Sequence, residues 1–232
     1  MIDIEICADD YATCQMASQY AVKRIELCAN LNEGGTTPSF GMIQKCCSLK
    51  SIEIHVMIRP RPGNFVYSKY ELDVMARDII TAAIAGAKGV VFGCLNKQNE
   101  IDLSALLFLS ETALKQNLEI TFHRAFDFVS DRSKSINHLV NAGVKRILSS
   151  GGKPKAHEAL TDLEGLLRLA NGQIEIMAGS GINDENVGLI VNTGVNAIHF
   201  TARKLDATNE LGMGNNFSPD ELKIKAILNK LI

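Results

Sequence analysis

The length, composition and charge of the chain exclude several classes of protein. Of its 232 residues, 46% are hydrophobic and 22% are charged, which is typical of a globular protein and excludes a disordered chain. The formal charge is −2, and Lys and Arg are scattered along the sequence without a basic stripe for nucleic acid. No stretch approaches the roughly eighteen apolar residues of a membrane span, and the N-terminus lacks signal-peptide features. We therefore predict a cytoplasmic protein with no nucleic-acid or membrane partner.

The six cysteines form no disulfide or zinc-binding pattern. They include no C-x-x-C pair, which argues against a zinc ribbon or a secreted disulfide framework, so we expect free thiols. Cys14, Cys46 and Cys47 fall in helical segments, where we interpret them as small buried hydrophobic side chains. The three that end predicted strands are Cys7, Cys28 and Cys94.

Eight short β-rich runs alternate with helical patterns along the chain. The predicted strands cover residues 2–7, 24–28, 53–59, 89–94, 118–123, 146–149, 174–178 and 197–201. The predicted helices include residues 9–20, 69–85, 103–115, 133–141, 155–170 and 184–192. This order predicts an α/β fold in which the strands pair in parallel through right-handed crossovers.

Eight strand-helix units close naturally into a single (β/α)8 barrel of the TIM type. The alternative is an open doubly wound sheet, but its opening G-x-G-x-x-G fingerprint is missing. No linker divides the chain. We predict one barrel domain over residues 1–232, of which residues 206–232 form a short C-terminal tail with a final helix.

The first two predicted strands each carry a glutamate two residues before a cysteine, Glu5 with Cys7 and Glu26 with Cys28. Residues two apart in a strand face the same side, so each carboxylate shares a face with a thiol. Buried carboxylates need a partner such as Arg59, a protonated histidine or a bound cation. One interpretation is a structural network that fills the barrel. The other is a general acid or base whose pKa is raised by burial.

Polar residues also follow the third and fifth strands. Two arginines, Arg59 and Arg61, lie in a loop stiffened by two prolines, and their forked side chains would clamp a carboxylate or phosphate. A rigid surface loop with solvated arginines is the alternative. After the fifth strand, His123, Arg124 and Asp127 supply a base, a cation and an acid within five residues. A His123–Asp127 pair would fix the histidine tautomer, unless His123 is only structural.

Strand parity and turn composition add two further expectations. On the eighth strand, His199 and Thr201 are predicted to point into the barrel and Ile198 and Phe200 outward. Glycine-rich turns follow the second, sixth and seventh strands, and the turn containing Gly179 and Gly181 is a candidate phosphate site. A tight turn without a ligand is the alternative.

Soft thiolate ligands select Cu(I), and Cys7 and Cys28 lie on neighbouring strands. Met57 or Cys94 would supply a further sulfur. Inward groups on adjacent barrel strands are staggered, however, so the separation of the two thiols does not follow from the sequence. Small hydrophobic cysteines remain the alternative.

Several stretches, taken together, resemble the CutC family of copper homeostasis proteins. They are EIC at residues 5–7, RIELC at 24–28, EGGTTPS at 33–39, MIRPR at 57–61, TFHRAFD at 121–127 and MAG at 177–179. The resemblance covers roughly residues 1–205. It implies a TIM-type barrel, a cytoplasmic location and a part in copper homeostasis, with Cu(I) bound at Cys7 and Cys28.

Two other functions stay open on the residues alone. One is a barrel enzyme of the lyase or isomerase type that transfers protons on a small anionic metabolite, a phosphate or a carboxylate. Its acid–base candidates are Glu5, Glu26, His123 and Asp127, and its anion-binding candidates are Arg59, Arg61, Arg124, Gly179 and Gly181. The other is a regulatory or scaffold homodimer.

Overall fold

The computed structural model describes residues 2–208 and 214–231 and contains the predicted closed barrel. Eight parallel strands pair in chain order, and the first strand closes the barrel by pairing with the eighth. Each predicted strand overlaps an observed one. The strands are β1 (Asp3–Ala8), β2 (Arg24–Leu27), β3 (Glu53–Met57), β4 (Gly89–Phe92), β5 (Glu119–Phe122), β6 (Arg146–Ser149), β7 (Glu175–Gly179) and β8 (Ala197–Thr201).

Helices surround the barrel, and several begin at polar side chains that accept a hydrogen bond from the first turn. These N-cap residues include Asp10, Ser39, Ser68, Asp102 and Asp131. In the part of the chain that the structure describes, no helix is long and apolar enough to cross a bilayer. The helices are α1 (Tyr11–Ala17), α2 (Phe40–Cys47), α3 (Lys69–Ala85), α4 (Leu103–Lys115), α5 (Arg132–Asn141), α6 (Leu160–Ala170), α7 (Val187–Val191) and α8 (Glu221–Asn229).

The predicted helix bounds are wrong where polar side chains hold the chain in turns. The sequence predicts a helix over residues 155–170, but Ala156–Glu158 forms a separate 3₁₀ turn before α6. The helix predicted over residues 184–192 is shorter, because the Asn183 side chain accepts hydrogen bonds from the N–H groups of Glu185 and Asn186. Local side-chain to backbone bonds therefore compete with the helical pattern.

Strand residues alternate between the helix layer and the barrel interior, as the sequence predicts. On β3, Ile54 and Val56 belong to the main hydrophobic core. Met57 instead forms a small cluster inside the barrel with Cys28 and Val91. This alternation is what points the inward polar residues towards the barrel axis and its mouth.

A charged network fills the barrel near the amino ends of its strands. Arg146, which begins β6, is only 2% exposed. Its guanidinium donates to Glu175 Oε2 at 3.1 Å, to Glu119 Oε2 at 2.7 Å and to Thr121 Oγ1 at 3.1 Å. The buried charge is thus paired, as a buried charge requires.

Two glycines, one at the start of β4 and one directly after its end, make room for two imidazole rings in the interior. A Cβ on Gly89 would lie 2.4 Å from His55 Nδ1, and a Cβ on Gly93 would lie 2.5 Å from His123 Nδ1. Real Cβ atoms do not approach other atoms so closely, so any larger residue would displace the ring. Gly89 thus leaves room for the His55 ring, and Gly93 leaves room for the His123 ring at the mouth.

The C-terminal segment is more structured than the predicted tail with a final helix. It contains an antiparallel hairpin of β9 (Arg203–Thr208) and β10 (Asn215–Pro219), which the sequence does not predict. Helix α8 follows and buries Ile224 and Ile227 completely. Tyr20 donates a hydrogen bond to the Glu221 side chain, which ties α8 to the end of the first β/α unit.

Candidate functional site

A cavity of about 480 Å³ opens at the carboxyl ends of the barrel strands. This is the end at which TIM-type barrels carry their sites. The predicted site residues that line the cavity are Cys7, Glu26, Arg59, His123, Arg124 and Gly181. The predicted residues that do not line it are Glu5, Cys28, Arg61, Asp127 and Gly179. Six of the eleven predicted site residues therefore line the cavity, and they make up a third of its eighteen lining residues.

Glu5 lies fully buried beneath the cavity and is held by two basic side chains. The strand register places it opposite Arg24 on β2 and His199 on β8. Arg24 Nε donates to Glu5 Oε2 at 3.0 Å, and His199 Nδ1 lies 2.8 Å from Glu5 Oε1. Burial opposes ionisation of Glu5, but the hydrogen bond and charge of His199, with Arg24, lower its pKa well below the usual range. Glu5 is thus an ionised partner that orients His199.

His199 connects the two glutamates that the sequence singles out. Its Nδ1 faces Glu5, and its Nε2 lies 3.7 Å from Glu26 Oε2. Burial alone would lower the pKa of His199, but the Cys7 sulfur, Glu26 and Glu5 outweigh it and raise the pKa well above 6.5. Strand parity already pointed His199 into the barrel. No local motif marked it, which is why it is missing from the candidate residues.

Glu26 is the carboxylate that reaches the cavity. The Cys28 thiol donates to Glu26 Oε2 at 3.5 Å, whereas Glu26 Oε1 has no hydrogen-bond partner among the described residues. Burial raises the pKa of Glu26, and the charge of Glu5 raises it further. The pKa of Glu26 is thus raised and that of Glu5 lowered, although both carboxylates lie near the same histidine.

Cys7, Glu26 and His199 form a group with metal-ligating geometry. One sulfur, one carboxylate oxygen and one ring nitrogen of these side chains all lie within 4.8 Å of one another. The register explains the grouping, because Cys7 is the strand partner of Glu26 and not of Cys28. Burial, followed by the charges of Glu26 and Cys7, raises the pKa of Cys28 well above its usual range. Cys28 therefore contacts this group through Glu26.

Arg59 follows β3 and lines the cavity, and one of its side-chain nitrogens has no partner among the described residues. Its NH1 donates to the carbonyl oxygens of Glu33 and Gly35 at 2.9 and 2.7 Å, and its NH2 donates to that of Gly63 at 2.9 Å. Arg59 Nε is buried without a partner among the described residues. The guanidinium also lies 5.3 Å from the centre of the Phe65 ring.

His123 presents a neutral imidazole to the cavity. The Ala125 N–H donates to His123 Nδ1 at 3.1 Å, so the proton of the neutral ring is assigned to Nε2, which has no partner among the described residues. Burial, with the nearby charge of Arg59, lowers the pKa of His123 to about 3. Its ring centre lies 4.8 Å from that of Phe65.

The predicted His123–Asp127 pair does not form. The Asp127 carboxylate instead accepts hydrogen bonds from Ser149 Oγ at 2.6 Å and from the Ser150 and Gly152 N–H groups at 3.1 and 3.2 Å. The turn after β6 wraps its donors around this carboxylate, which consequently occupies the anion-binding geometry of that turn.

The remaining candidates divide between the cavity and the surface. Arg124 Nε donates to Asp127 Oδ2 at 2.9 Å, and Arg124 also lines the cavity. Arg61 turns away, pairing with Glu71 and donating to the Val66 carbonyl at 2.8 Å. It matches the alternative of a rigid surface loop.

The two candidate glycines at the end of β7 and in the turn after it also divide, because one lines the cavity and the other does not. Gly181 lines the cavity at a φ of +71°, a left-handed conformation that favours glycine. A Cβ on Gly179 would lie 2.5 Å from Leu148 Cδ1, so close packing explains that glycine. Lys223 of α8 also lines the cavity, and nothing in the local sequence of the tail predicts that.

These features define a closed (β/α)8 barrel whose carboxyl mouth is lined by a thiol, a carboxylate and two histidines. Distantly similar barrels include thiamine phosphate pyrophosphorylase from Pyrococcus furiosus, with a TM-score of 0.61 at 15% identity over 99% of this chain and 95% of that chain. At that identity the likeness shows the fold alone.

Closer similarity identifies the family. The crystal structure of CutC from Streptococcus agalactiae superposes with a TM-score of 0.82 at 40% identity, covering 87% of this chain and 99% of that one. A family protein CutC from Glaesserella parasuis serovar 5 is 39% identical over 97% of both chains. One from Bacteroides thetaiotaomicron is 42% identical over 86% of this chain and 80% of its own length. The CutC family model matches residues 2–204, and the chain belongs to the CutC family.

Proposed function

We propose that the protein binds a copper ion, as Cu(I), at the barrel mouth and acts in copper homeostasis in the cytoplasm. The observation that carries this proposal is the group of Cys7, Glu26 and His199, whose ligand atoms lie within 4.8 Å of one another. The name of the Streptococcus agalactiae relative, a copper homeostasis protein, supports the choice of metal.

The three donors suit a copper ion that passes through the protein as cargo. Thiolate sulfur favours Cu(I), and imidazole nitrogen is also a copper ligand. Donors about 2.0 to 2.3 Å from one ion lie within about 4.6 Å of one another, so small side-chain rotations would bring Cys7, Glu26 and His199 into range. Cys28, which donates to Glu26, would supply a second sulfur after it loses its proton.

Anaerobic titration with Cu(I) against a competing chelator tests the proposal. We expect Cys7→Ser and His199→Gln each to weaken Cu(I) binding by about tenfold or more, because each substitution removes one of the three proposed ligands. Cys47→Ser is the matched control, since Cys47 is also a partly exposed free cysteine but lies on α2. Equal affinity in Cys7→Ser and Cys47→Ser would contradict the proposed site.

The second candidate function is proton transfer on a small anionic substrate, and the arrangement of Glu5, His199 and Glu26 favours it. Glu5 orients His199, and His199 faces Glu26, which lines the cavity and whose Oε1 has no partner among the described residues. An acid or base held by an oriented histidine is the arrangement that proton transfer requires. In this function His199 and Glu26 replace the predicted pair of His123 and Asp127.

Deuterium exchange separates the two functions. Wild-type protein without copper is incubated in D2O with a panel of small hydroxy and keto carboxylates, and exchange of carbon-bound protons is followed by NMR. Catalysed exchange that is lost in Glu26→Gln and kept in Cys47→Ser would support the enzyme. Lack of exchange across the panel would contradict it and leave the copper proposal unchanged.

A further inference from the structure

Four residues on the wall of the cavity each carry a buried polar atom without a partner among the described residues. Among the described residues, the unpartnered side-chain atoms include Glu26 Oε1, Arg59 Nε, His123 Nε2 and Thr201 Oγ1. All four residues belong to the wall of the mouth. Polar groups buried in proteins are almost always hydrogen-bonded, because leaving them unpaired is costly. Their concentration in one cavity indicates a polar ligand.

Arg59 shows which charge that ligand carries. The barrel holds two other almost fully buried arginines, and both are neutralised: Arg24 pairs with Glu5 and Asp3, and Arg146 pairs with Glu119 and Glu175. Arg59 is equally inaccessible, at 5% exposure. Its terminal nitrogens donate to the backbone carbonyls of three loop residues, and no carboxylate pairs with it among the described residues. The missing partner of this cation is an anion.

His123 supplies a second donor beside Arg59. Its Nδ1 already accepts the Ala125 N–H, so its free Nε2 carries the proton and donates. Arg59 and His123 lie against the same ring, at 5.3 and 4.8 Å from the centre of Phe65. Two N–H donors on the wall of one cavity, one of them cationic, are complementary to an oxyanion such as a carboxylate or phosphate.

These donors occupy a different part of the mouth from the proposed copper ligands. Cys7, Glu26 and His199 come from the adjacent strands β1, β2 and β8, whereas Arg59 and His123 follow β3 and β5. The cavity of about 480 Å³ spans both groups and has the size of a small-molecule site rather than of a single ion.

We propose that the mouth binds a small organic oxyanion whose anionic end pairs with Arg59 and His123 and whose remainder reaches Glu26 and Thr201. The inference deepens the proposed function, since the ligand would lie beside the ion in the same cavity and contact it. Only the contact between the oxyanion and the ion rests on the proposed copper site. The oxyanion subsite itself depends on groups that are not copper ligands.

Calorimetric titration of full-length, metal-free protein with malonate and, separately, with inorganic phosphate tests the subsite. We expect one of the two oxyanions to bind and to raise the melting temperature, and which one binds distinguishes a carboxylate from a phosphate ligand. Arg59→Lys and His123→Asn should each weaken binding by about tenfold or more. Asparagine can still accept the Ala125 N–H, but it removes the Nε2 donor. Arg61→Lys, in the same loop but outside the cavity, should leave binding unchanged.

NMR and a cysteine variant separate the possible failures. The His123 Nε2 resonance should shift on binding, a readout that stands even if Arg59→Lys does not fold. If neither oxyanion binds, or if Arg59→Lys and His123→Asn both bind like Arg61→Lys, the subsite is overturned. Cys7→Ser should lose Cu(I) and keep the oxyanion. If wild-type protein binds the oxyanion but not Cu(I), only the proposed function fails.

Discussion

His199 lies between two buried glutamates whose pKa values are shifted in opposite directions. Its Nδ1 faces Glu5, which is held ionised, and its Nε2 faces Glu26, whose pKa is raised by burial. Strand parity predicted that Glu5, Glu26 and His199 point inward. It did not predict the pairing, because the register that sets Glu5 opposite His199 joins residues 194 positions apart.

The raised pKa of His199 predicts how stability depends on pH in the metal-free protein. A histidine whose pKa is higher in the folded than in the unfolded protein stabilises the fold. This stabilisation is complete below the unfolded pKa of 6.5 and is lost as the pH rises through the folded pKa. The stability advantage of wild type over His199→Gln should therefore be largest below pH 6.5 and should decline above it. Urea unfolding of both proteins across that range measures it, and a difference independent of pH would refute the assignment.

Strand β4 contributes no polar side chain to the site, but the glycines at its two ends leave space for neighbouring side chains. Gly89 and Gly93 lie under His55 and His123, and the space they leave is what admits the two rings. The sequence shows glycines in a strand, which indicates a close approach of some group. Only the closed barrel shows that the group is an imidazole on the neighbouring strands.

Gly93→Ala should damage the mouth and stability together. Its new Cβ would lie 2.5 Å from His123 Nδ1 and 2.8 Å from Ala125 Cβ, so the ring must move, at a cost of about 1–3 kcal/mol in unfolding free energy. Gly165→Ala in α6 is the control, because the nearest atom to its Cβ is 3.7 Å away and alanine favours a helix. Urea unfolding compares the two variants. Equal stability would show that β4 does not position His123.

At the scale of the whole molecule, the barrel is predictable from the sequence, whereas the C-terminal elements and the loops around its mouth are not. Alternating strand and helix patterns are local, so they predict eight units and the inward residues of each strand. The packing of β10 against α1 and the position of Lys223 on the cavity wall are long-range contacts, which leave no periodic pattern in the sequence. The three carbonyls that hold Arg59 likewise belong to loops without a pattern.

The docking of α8 should contribute to the stability of the whole barrel. Ile227→Ala removes a fully buried side chain and should lower the unfolding free energy by about 2–5 kcal/mol. Leu222→Ala, on the same helix but 77% exposed, should change it by less than about 0.5 kcal/mol. Urea unfolding measures both. Similar effects of the two substitutions would mean that α8 is not docked as described.

X-ray absorption of the Cu(I)-loaded protein tests directly whether Cys7, Glu26 and His199 bind the ion together. We expect one or two sulfur ligands together with a lighter nitrogen or oxygen ligand. The sulfur shell should lose Cys7 in Cys7→Ser, and the lighter shell should change in His199→Gln. A copper environment of sulfur alone, unchanged in both variants, would contradict binding by Cys7, Glu26 and His199.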